Sequence, residues 1–368
     1  MQAKIVAGIR KESNVYILTN AAGELSAWVK PIAEELERSW PEARVVVVLT
    51  PSQYLTGQEE EYTKALPGVD QVIPVKDFRK LLFMGTSYLK EGSNLKGCIL
   101  SLGGDLIYPV LLKARLGYPA FAYIEKRKQW VNQFVEFFTR DTVGDLMVDS
   151  LAGIKPPTAK ALTAPDFRIA LLPGSRSFQL KYMIPFYTRV AEQLQYKYPN
   201  LQFVWKISPF SSKDFQRFNK SAFPVSNSLE GFDLAITIPG TNTAHLSIMG
   251  IPILCVMPLN WPQVVPLEGI WEYLGRLPLL GSIIKELVIR IAIKSMRYLA
   301  LPNIIAKQMV VPEVWGRVTE QEVALAAEKL LLDMNGREAM GKQIRAIMGP
   351  GGAAKKIVSE IKETVLSR

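Results

Sequence analysis

The stretch RIALLPGSRSFQL, Arg168–Leu180, decides the fold. Arg168–Leu172 is an apolar run of strand length, and Pro173 with Gly174 breaks it. A helical period follows near Leu180–Tyr198. A strand that ends in a glycine turn and leads into a helix is the repeating unit of α/β architecture. The turn carries Gly174, Ser175 and Arg176. There, backbone amides at a helix start and an arginine fork can approach a phosphate. An ordinary strand-to-helix turn with a solvated arginine satisfies the same spacing.

The pattern recurs on both sides of this stretch. Downstream, strands are expected at Gln202–Ile207, Asp233–Ile238 and Pro252–Met257, with a helix from Thr241. Upstream they are expected at Val15–Leu18, Arg44–Leu49, Gln71–Val75, Gly97–Leu102 and Ala120–Ile124. Several are continuously apolar, as strands are when helices cover both sheet faces. Leu25, Trp28, Val29, Ile32 and Leu36 form one apolar helical stripe after the first strand. Ala152–Asp166 holds three prolines and no hydrophobic period, and so reads as a linker. Helices are expected at Thr319–Met334, Arg337–Met348 and Ala353–Val365, the first opened by a Thr319/Glu322 capping box. The expected organisation is a Rossmann-like domain over 1–155, a second over 166–348, and a C-terminal helix over 349–368 packing back on the first. The two domains should face a cleft.

Composition bounds the function. The chain has 368 residues, 48% hydrophobic and 21% charged, enough apolar content for two cores and too much for disorder. A net charge of +10 points to an anionic partner. Cys98 and Cys255 sit inside apolar runs and read as buried core thiols. Lys4, Arg10, Lys11 and Glu12 interrupt any leader-like apolar stretch, and no run is long enough to span a bilayer. A cytoplasmic protein is expected. No nucleic-acid module is apparent.

Three further regions could carry chemistry. Pro239–His245 ends a strand with Gly240 and opens a helix with Thr241, Asn242 and Thr243. Hydroxyls there can cap the helix or bind a diphosphate. Both glycine turns close strands at their carboxyl ends, where ligands bind in open α/β sheets. His245, the sole histidine, reads as a residue one turn inside the site, with general catalysis as the alternative. Asp105 follows Ser101-Leu102-Gly103-Gly104 and suits either a general base or a helix cap. Trp261–Gln308 mixes aromatic and aliphatic residues with Arg276, Lys285, Arg290, Lys294 and Arg297. That mixture suits a helix in an anionic membrane surface, or a helical hairpin with a solvated basic face.

Five segments in order resemble the lipid-A-disaccharide synthase family. They are Ala22-Gly23-Glu24-Leu25-Ser26, Val143-Gly144-Asp145-Leu146-Met147-Val148-Asp149, Leu172–Arg176, Gly240–Thr243 and Leu301-Pro302-Asn303-Ile304-Ile305-Ala306, the last followed by Val311-Pro312-Glu313. The resemblance implies a GT-B glycosyltransferase of two Rossmann-like domains. It implies a UDP-sugar donor in the second domain and a lipid-linked sugar acceptor in the first, with inversion at the anomeric carbon. It also implies peripheral work on the cytoplasmic face of the inner membrane. Asp105 falls near the family's proposed catalytic aspartate. Gly174, Ser175, Arg176, Gly240, Thr241, Asn242, Thr243, His245 and Asn303 fall in donor-lining segments. No Asp-x-Asp motif is present, in keeping with a metal-independent, cofactor-free enzyme.

The chain departs from the family pattern at Ala27-Trp28, where the family has Gly-Asp. Gln179 stands in place of an acid, and His245 in place of a glutamate. These changes imply a diverged member. They leave two other readings open: a UDP-sugar epimerase, or a non-catalytic membrane-associated binding protein on the same fold.

Overall fold

The computed structural model describes residues 12–52, 57–85, 96–124, 130–207, 212–261 and 297–367. The chain divides into two compact units, Met1–Ala152 with Gly349–Arg368, and Gly153–Met348.

The first unit holds a six-stranded parallel sheet in the order β3-β2-β1-β4-β5-β6. Its strands are β1 Ser13–Thr19, β2 Ala43–Leu49, β3 Gln71–Ile73, β4 Lys96–Leu102, β5 Ala120–Tyr123 and β6 Glu136–Phe138. Every residue of β1 is buried, because helices cover both faces and successive side chains point to opposite sides. Val15 and Ile17 join Cys98, Leu100 and Phe121 on one face. Tyr16 and Leu18 join Val46, Val48 and Ile99 on the other. Helix α1, Ala22–Glu24, passes through a π-helical turn, Leu25–Val29, into α2, Lys30–Ser39. The turn and α2 lay Leu25, Val29, Ile32 and Leu36 on the first face. Glu59–Lys64 forms α3; α4, Val75–Met84, and α5, Ile107–Leu116, cover the second face through Phe78, Leu81 and Leu112. The expected strand to Val75 stops at Ile73, because Pro74 lacks a ladder donor and instead precedes α4.

Two short helices follow, α6 Arg140–Val143 and α7 Leu146–Ser150. Asp145, between them, and Asp149, within α7, both cap helices. Asp145 Oδ1 accepts from Met147 N at 2.9 Å. Asp149 accepts from Gly352 N at 2.5 Å and Ala354 N at 2.7 Å, and so holds the start of the last helix, Ala353–Leu366. That helix buries Ile357, Val358, Ile361 and Val365 in the first-unit core, worth about 1.5–3 kcal/mol for each large side chain fully buried.

The second unit repeats the plan in the order β12-β11-β10-β7-β8-β9. Its strands are β7 Arg168–Leu172, β8 Gln202–Lys206, β9 Val225–Ser226, β10 Leu234–Thr237, β11 Ile253–Pro258 and β12 Glu313–Gly316. Its helices are α8 Ser177–Lys197, α9 Ser212–Phe218, α10 Thr241–Met249, α11 Leu301–Ala306, α12 Glu320–Leu332 and α13 Met334–Met348; the last helix of the chain is α14. The expected single helix to Met334 is broken at Asp333, whose Oδ1 accepts from Gly336 N at 2.8 Å and caps α13. The Thr319/Glu322 capping box opens α12, with Thr319 N donating to Glu322 at 2.7 Å.

The proline-rich segment is pinned within this unit. Arg337, 2% exposed, donates to the carbonyls of Leu330, Leu331 and Lys160 and lies 5.0 Å from the Phe167 ring centre. Lys160 pairs with Asp166 at 2.7 Å and with buried Asp233 at 3.4 Å. Cys98 and Cys255 are both free and buried, and burial pushes their thiols up.

Candidate functional site

In each sheet the winding direction reverses once, between β1 and β4 and between β7 and β10. The loops after those strands border the crevice where open α/β sheets bind ligands.

In the second unit the strand ends are level, with Leu172 opposite Thr237. Gly174 has φ +101°, and an added Cβ would lie 2.5 Å from Gln179 Oε1 and 2.7 Å from Ile238. Gln179 Oε1 accepts from both Ser175 N and Arg176 N at 3.2 Å. The amides expected to face a phosphate are therefore satisfied from within the loop. The cause is Gln179 at the third position of α8, which reaches back as a capping side chain. Ser175 remains exposed, and the Arg176 guanidinium lies 6.0 Å from the Phe178 ring centre.

The second turn is different. Gly240 precedes α10 with φ +132°, and the first-turn amides at Thr241 and Asn242 have no intrahelical acceptor. Thr241 is exposed and Asn242 half-buried. Thr243 is fully buried: its hydroxyl donates to Gly240 O at 2.8 Å and accepts from Leu301 N at 3.1 Å. Thr243 thus braces the turn and presents nothing to a ligand.

Asn303 corrects a donor-lining expectation. It is fully buried, donating to Val311 O at 2.8 Å and Glu313 at 2.7 Å. Its oxygen accepts from Val310 N and Val311 N. Glu313 also accepts from Leu299 N and Ala300 N. The segment is a polar knot that holds α11 against Thr243.

Two basic side chains complete this crevice. His245 is largely buried, and burial with nearby Lys206 lowers its pKa to about 4, so the imidazole is neutral at pH 7. Lys206 ends β8, one strand from the reversal. Burial lowers its pKa, its ammonium donates to Ile207 O at 3.0 Å, and no carboxylate pairs with it among the described residues. Sequence reading missed it. The available signal was a lone cation closing the apolar run Phe203-Val204-Trp205 beside a reversal point.

The crevice of the first unit is acidic. Asp105 is exposed and its Oδ1 accepts from Ile107 N at 2.9 Å, capping α5. Just before it, Gly103 and Gly104 have φ +96° and +75°. A Cβ on Gly103 would sit 2.1 Å from the Glu24 carboxyl carbon. Glu24 was not singled out for a role by sequence. Its carboxylate accepts from Thr19 Oγ1 at 3.0 Å and Asn20 N at 3.2 Å, and from the amides of Ala21 and Gly104. Burial raises its pKa, and these hydrogen bonds pull the other way. Glu24 thus joins the β1 loop to the residue before Asp105. The π-helical turn after it carries Trp28, whose indole Nε1 is buried without a partner; such turns recur at functional sites.

The family described as lipid-A-disaccharide synthetase matches residues 142–349, more than half of the chain. The chain belongs to that family. The lipid-A-disaccharide synthase of Anaeromyxobacter dehalogenans is 26% identical over 218 residues, covering 55% of this chain and 51% of its own. That of Gloeothece citriformis is 28% identical over 214 residues, covering 54% and 49%. The chain thus spans about half the length of the curated relatives it matches. In structure it resembles the UDP-GlcNAc 2-epimerase from Neisseria meningitidis bound to UDP-GlcNAc, with TM-score 0.55, 14% identity, and 97% and 100% of the two chains covered. It also resembles the calicheamicin glycosyltransferase CalG4, with TM-score 0.52, 11% identity, and 98% and 99% covered. These likenesses and the two parallel sheets give the GT-B fold of the lipid-A-disaccharide synthetase family.

Of Trp261–Gln308, residues 262–296 lie outside the described residues. Trp261 itself stacks on Tyr182 at 5.6 Å and meets Phe186 edge-on at 5.8 Å. It packs on α8. No helix among the described residues is long and apolar enough to cross a membrane.

Proposed function

We propose that this member of the lipid-A-disaccharide synthetase family is an inverting, metal-independent glycosyltransferase. It moves a sugar, an acylated glucosamine in the family's reaction, from a UDP donor to a lipid-linked sugar acceptor. It works peripherally at the cytoplasmic face of the inner membrane. One observation carries the reading: the two reversal-point crevices are opposite in charge, Arg176 and Lys206 in one and Asp105 and Glu24 in the other.

The donor diphosphate belongs at the basic crevice. Arg176, Lys206 and the first-turn amides of α10 stabilise the negative charge that grows on UDP as its bond to the anomeric carbon breaks. Neutral His245 contributes no charge at pH 7 and can accept a hydrogen bond from the donor. Asp105 is the base that takes the proton of the acceptor hydroxyl. Thr243 and Asn303 act indirectly, by holding the α10 turn.

Calorimetric titration with UDP tests the reading. Saturable binding that weakens about tenfold or more in Arg176→Ala is expected for a charge-assisted phosphate contact. A folded protein that binds neither UDP nor UDP-sugars would overturn the transferase. Conversion of UDP-GlcNAc to its epimer without any acceptor would replace it with the epimerase.

A further inference from the structure

The second unit holds a groove remote from its reversal point. It measures about 380 Å³, within the range of small-molecule sites, about 300–1,000 Å³. Asp233 and Pro252, which line it, immediately precede β10 and β11, so it opens at the amino ends of those strands. The Gly240 turn lies at the carboxyl ends, on the opposite edge of the sheet. One wall of the groove is α13, where Met334, Arg337, Gly341 and Arg345 recur at helical spacing. Gly341 permits a close approach: an added Cβ would lie 2.5 Å from Gly250 O. Another wall is Pro156–Ala159. Two consecutive prolines stiffen that segment, and Arg337 holds it by donating to Lys160 O at 2.6 Å. The groove is therefore preformed, which lowers the ordering cost of binding.

Its lining is apolar with one uncommitted charge. Pro156 is exposed, Pro157 half-buried and Met334 39% exposed, so apolar surface stands open to water. Most of the charged lining residues are matched within the protein. Lys342 pairs with Glu338 at 2.6 Å. Asp233 accepts from Arg168 N at 2.8 Å and pairs with Lys160 at 3.4 Å. Arg337 commits its guanidinium to three backbone carbonyls. Arg345 differs from them: it is exposed, and its guanidinium has no carboxylate or carbonyl partner among the described residues.

We propose that this groove binds an aliphatic carboxylate, with its chain against Pro156, Pro157 and Met334 and its head group on Arg345. A guanidinium fork matches a carboxylate with two parallel hydrogen bonds. A methylene chain laid on prolines and methionine removes apolar area of both partners from water. A cationic ligand would meet the unmatched charge of Arg345, and a neutral one would leave it without a partner. Helix α10 runs from Gly240 at the donor turn to Gly250 in the groove, so this ligand and UDP occupy different sites. The inference does not depend on the transfer reaction or its acceptor.

The test is calorimetric titration of the full chain with octanoate, and with octanol as the uncharged analogue. Wild type is compared with Arg345→Gln and, separately, with Met334→Glu. Both positions are solvent-exposed, and the melting temperature of each variant checks that it folds. The expected result is saturable binding of octanoate, about tenfold tighter than octanol. Each variant should lose about tenfold or more in octanoate affinity, and saturating UDP should leave wild-type binding unchanged. Equal affinity in wild type and both variants would overturn the site, as would the absence of saturable binding to wild type. Displacement of octanoate by UDP would place it in the donor crevice and overturn the site as well. A wild-type dimer that the variants dissociate, with no octanoate binding, would assign the groove to a second copy of the chain instead.

Discussion

The β1/β4 crevice of the first unit and the β7/β10 crevice of the second are built alike. Each lies where a six-stranded parallel sheet reverses its winding, and each is floored by glycines at positive φ. They differ in what a neighbouring side chain does to the loop. In the first unit, Glu24 fills the space under Gly103 and takes the Gly104 amide, so a buried carboxylate sets the loop that carries Asp105. In the second, neutral Gln179 takes the Ser175 and Arg176 amides, and the charge comes from Arg176 and Lys206. The same topology thus supplies an acidic and a basic crevice, and the chemistry resides in a few side chains added to it.

The strongest way to break this contrast is Asp105→Asn. The side chain keeps a capping oxygen for α5, so the fold should hold, while turnover falls about 100-fold to 10,000-fold with UDP affinity intact. Activity assay beside UDP titration checks it, and a joint loss of both would mean that the crevices do not divide the work.

Lys206→Met should weaken UDP binding by about tenfold to a hundredfold without affecting the first unit. It also has a second readout. His245 is the only histidine, so one set of imidazole signals in the NMR spectrum reports its titration. Burial is the larger cause of its pKa of about 4 and the nearby ammonium the smaller, so loss of the ammonium should raise it part of the way. In the wild type the depressed pKa gives stability that is present above the ordinary histidine range and is lost as pH falls from about 6.5 through 4. An imidazole that titrates identically in both proteins would separate the two residues.

Glu24→Gln sharpens the comparison with the smallest effect. Because burial raises the folded-state pKa of Glu24, its contribution to stability is greatest at acid pH and is lost as the carboxyl ionises. Denaturant unfolding followed upward from pH 4 should therefore fall less steeply with pH in the variant than in the wild type. A steeper fall would show that the carboxylate's four hydrogen bonds outweigh its burial.

Much of this was legible because parallel strands announce themselves. Val15–Leu18, Gly97–Leu102 and Arg168–Leu172 are continuous apolar runs, and both sheet faces of each are covered. The edge strands β6, β9 and β12 were not legible, since Glu136, Ser226 and Glu313 interrupt them and they are only partly buried, leaving no continuous apolar run. Site residues divided along another line. Gly174 and Gly240 stand out by residue type alone. A polar residue in a motif does not reveal whether it faces a ligand or ties a loop together. Asn303, Thr243 and Asp149 all do the second, and only their buried partners make that plain. Glu24, in the short helix after β1, and Lys206, at the end of β8, are single charges, unremarkable until the sheet order brings them beside a reversal point.

The last helix has a consequence for biosynthesis. The first-unit core lacks Ile357, Val358 and Ile361 until α14 leaves the ribosome, after the whole of Gly153–Met348 has been made. At about 5–20 residues per second that interval lasts on the order of ten to forty seconds. The part synthesised first is therefore completed last. Through that time the faces of α2 and β4 that α14 will cover remain open to water and to chaperones.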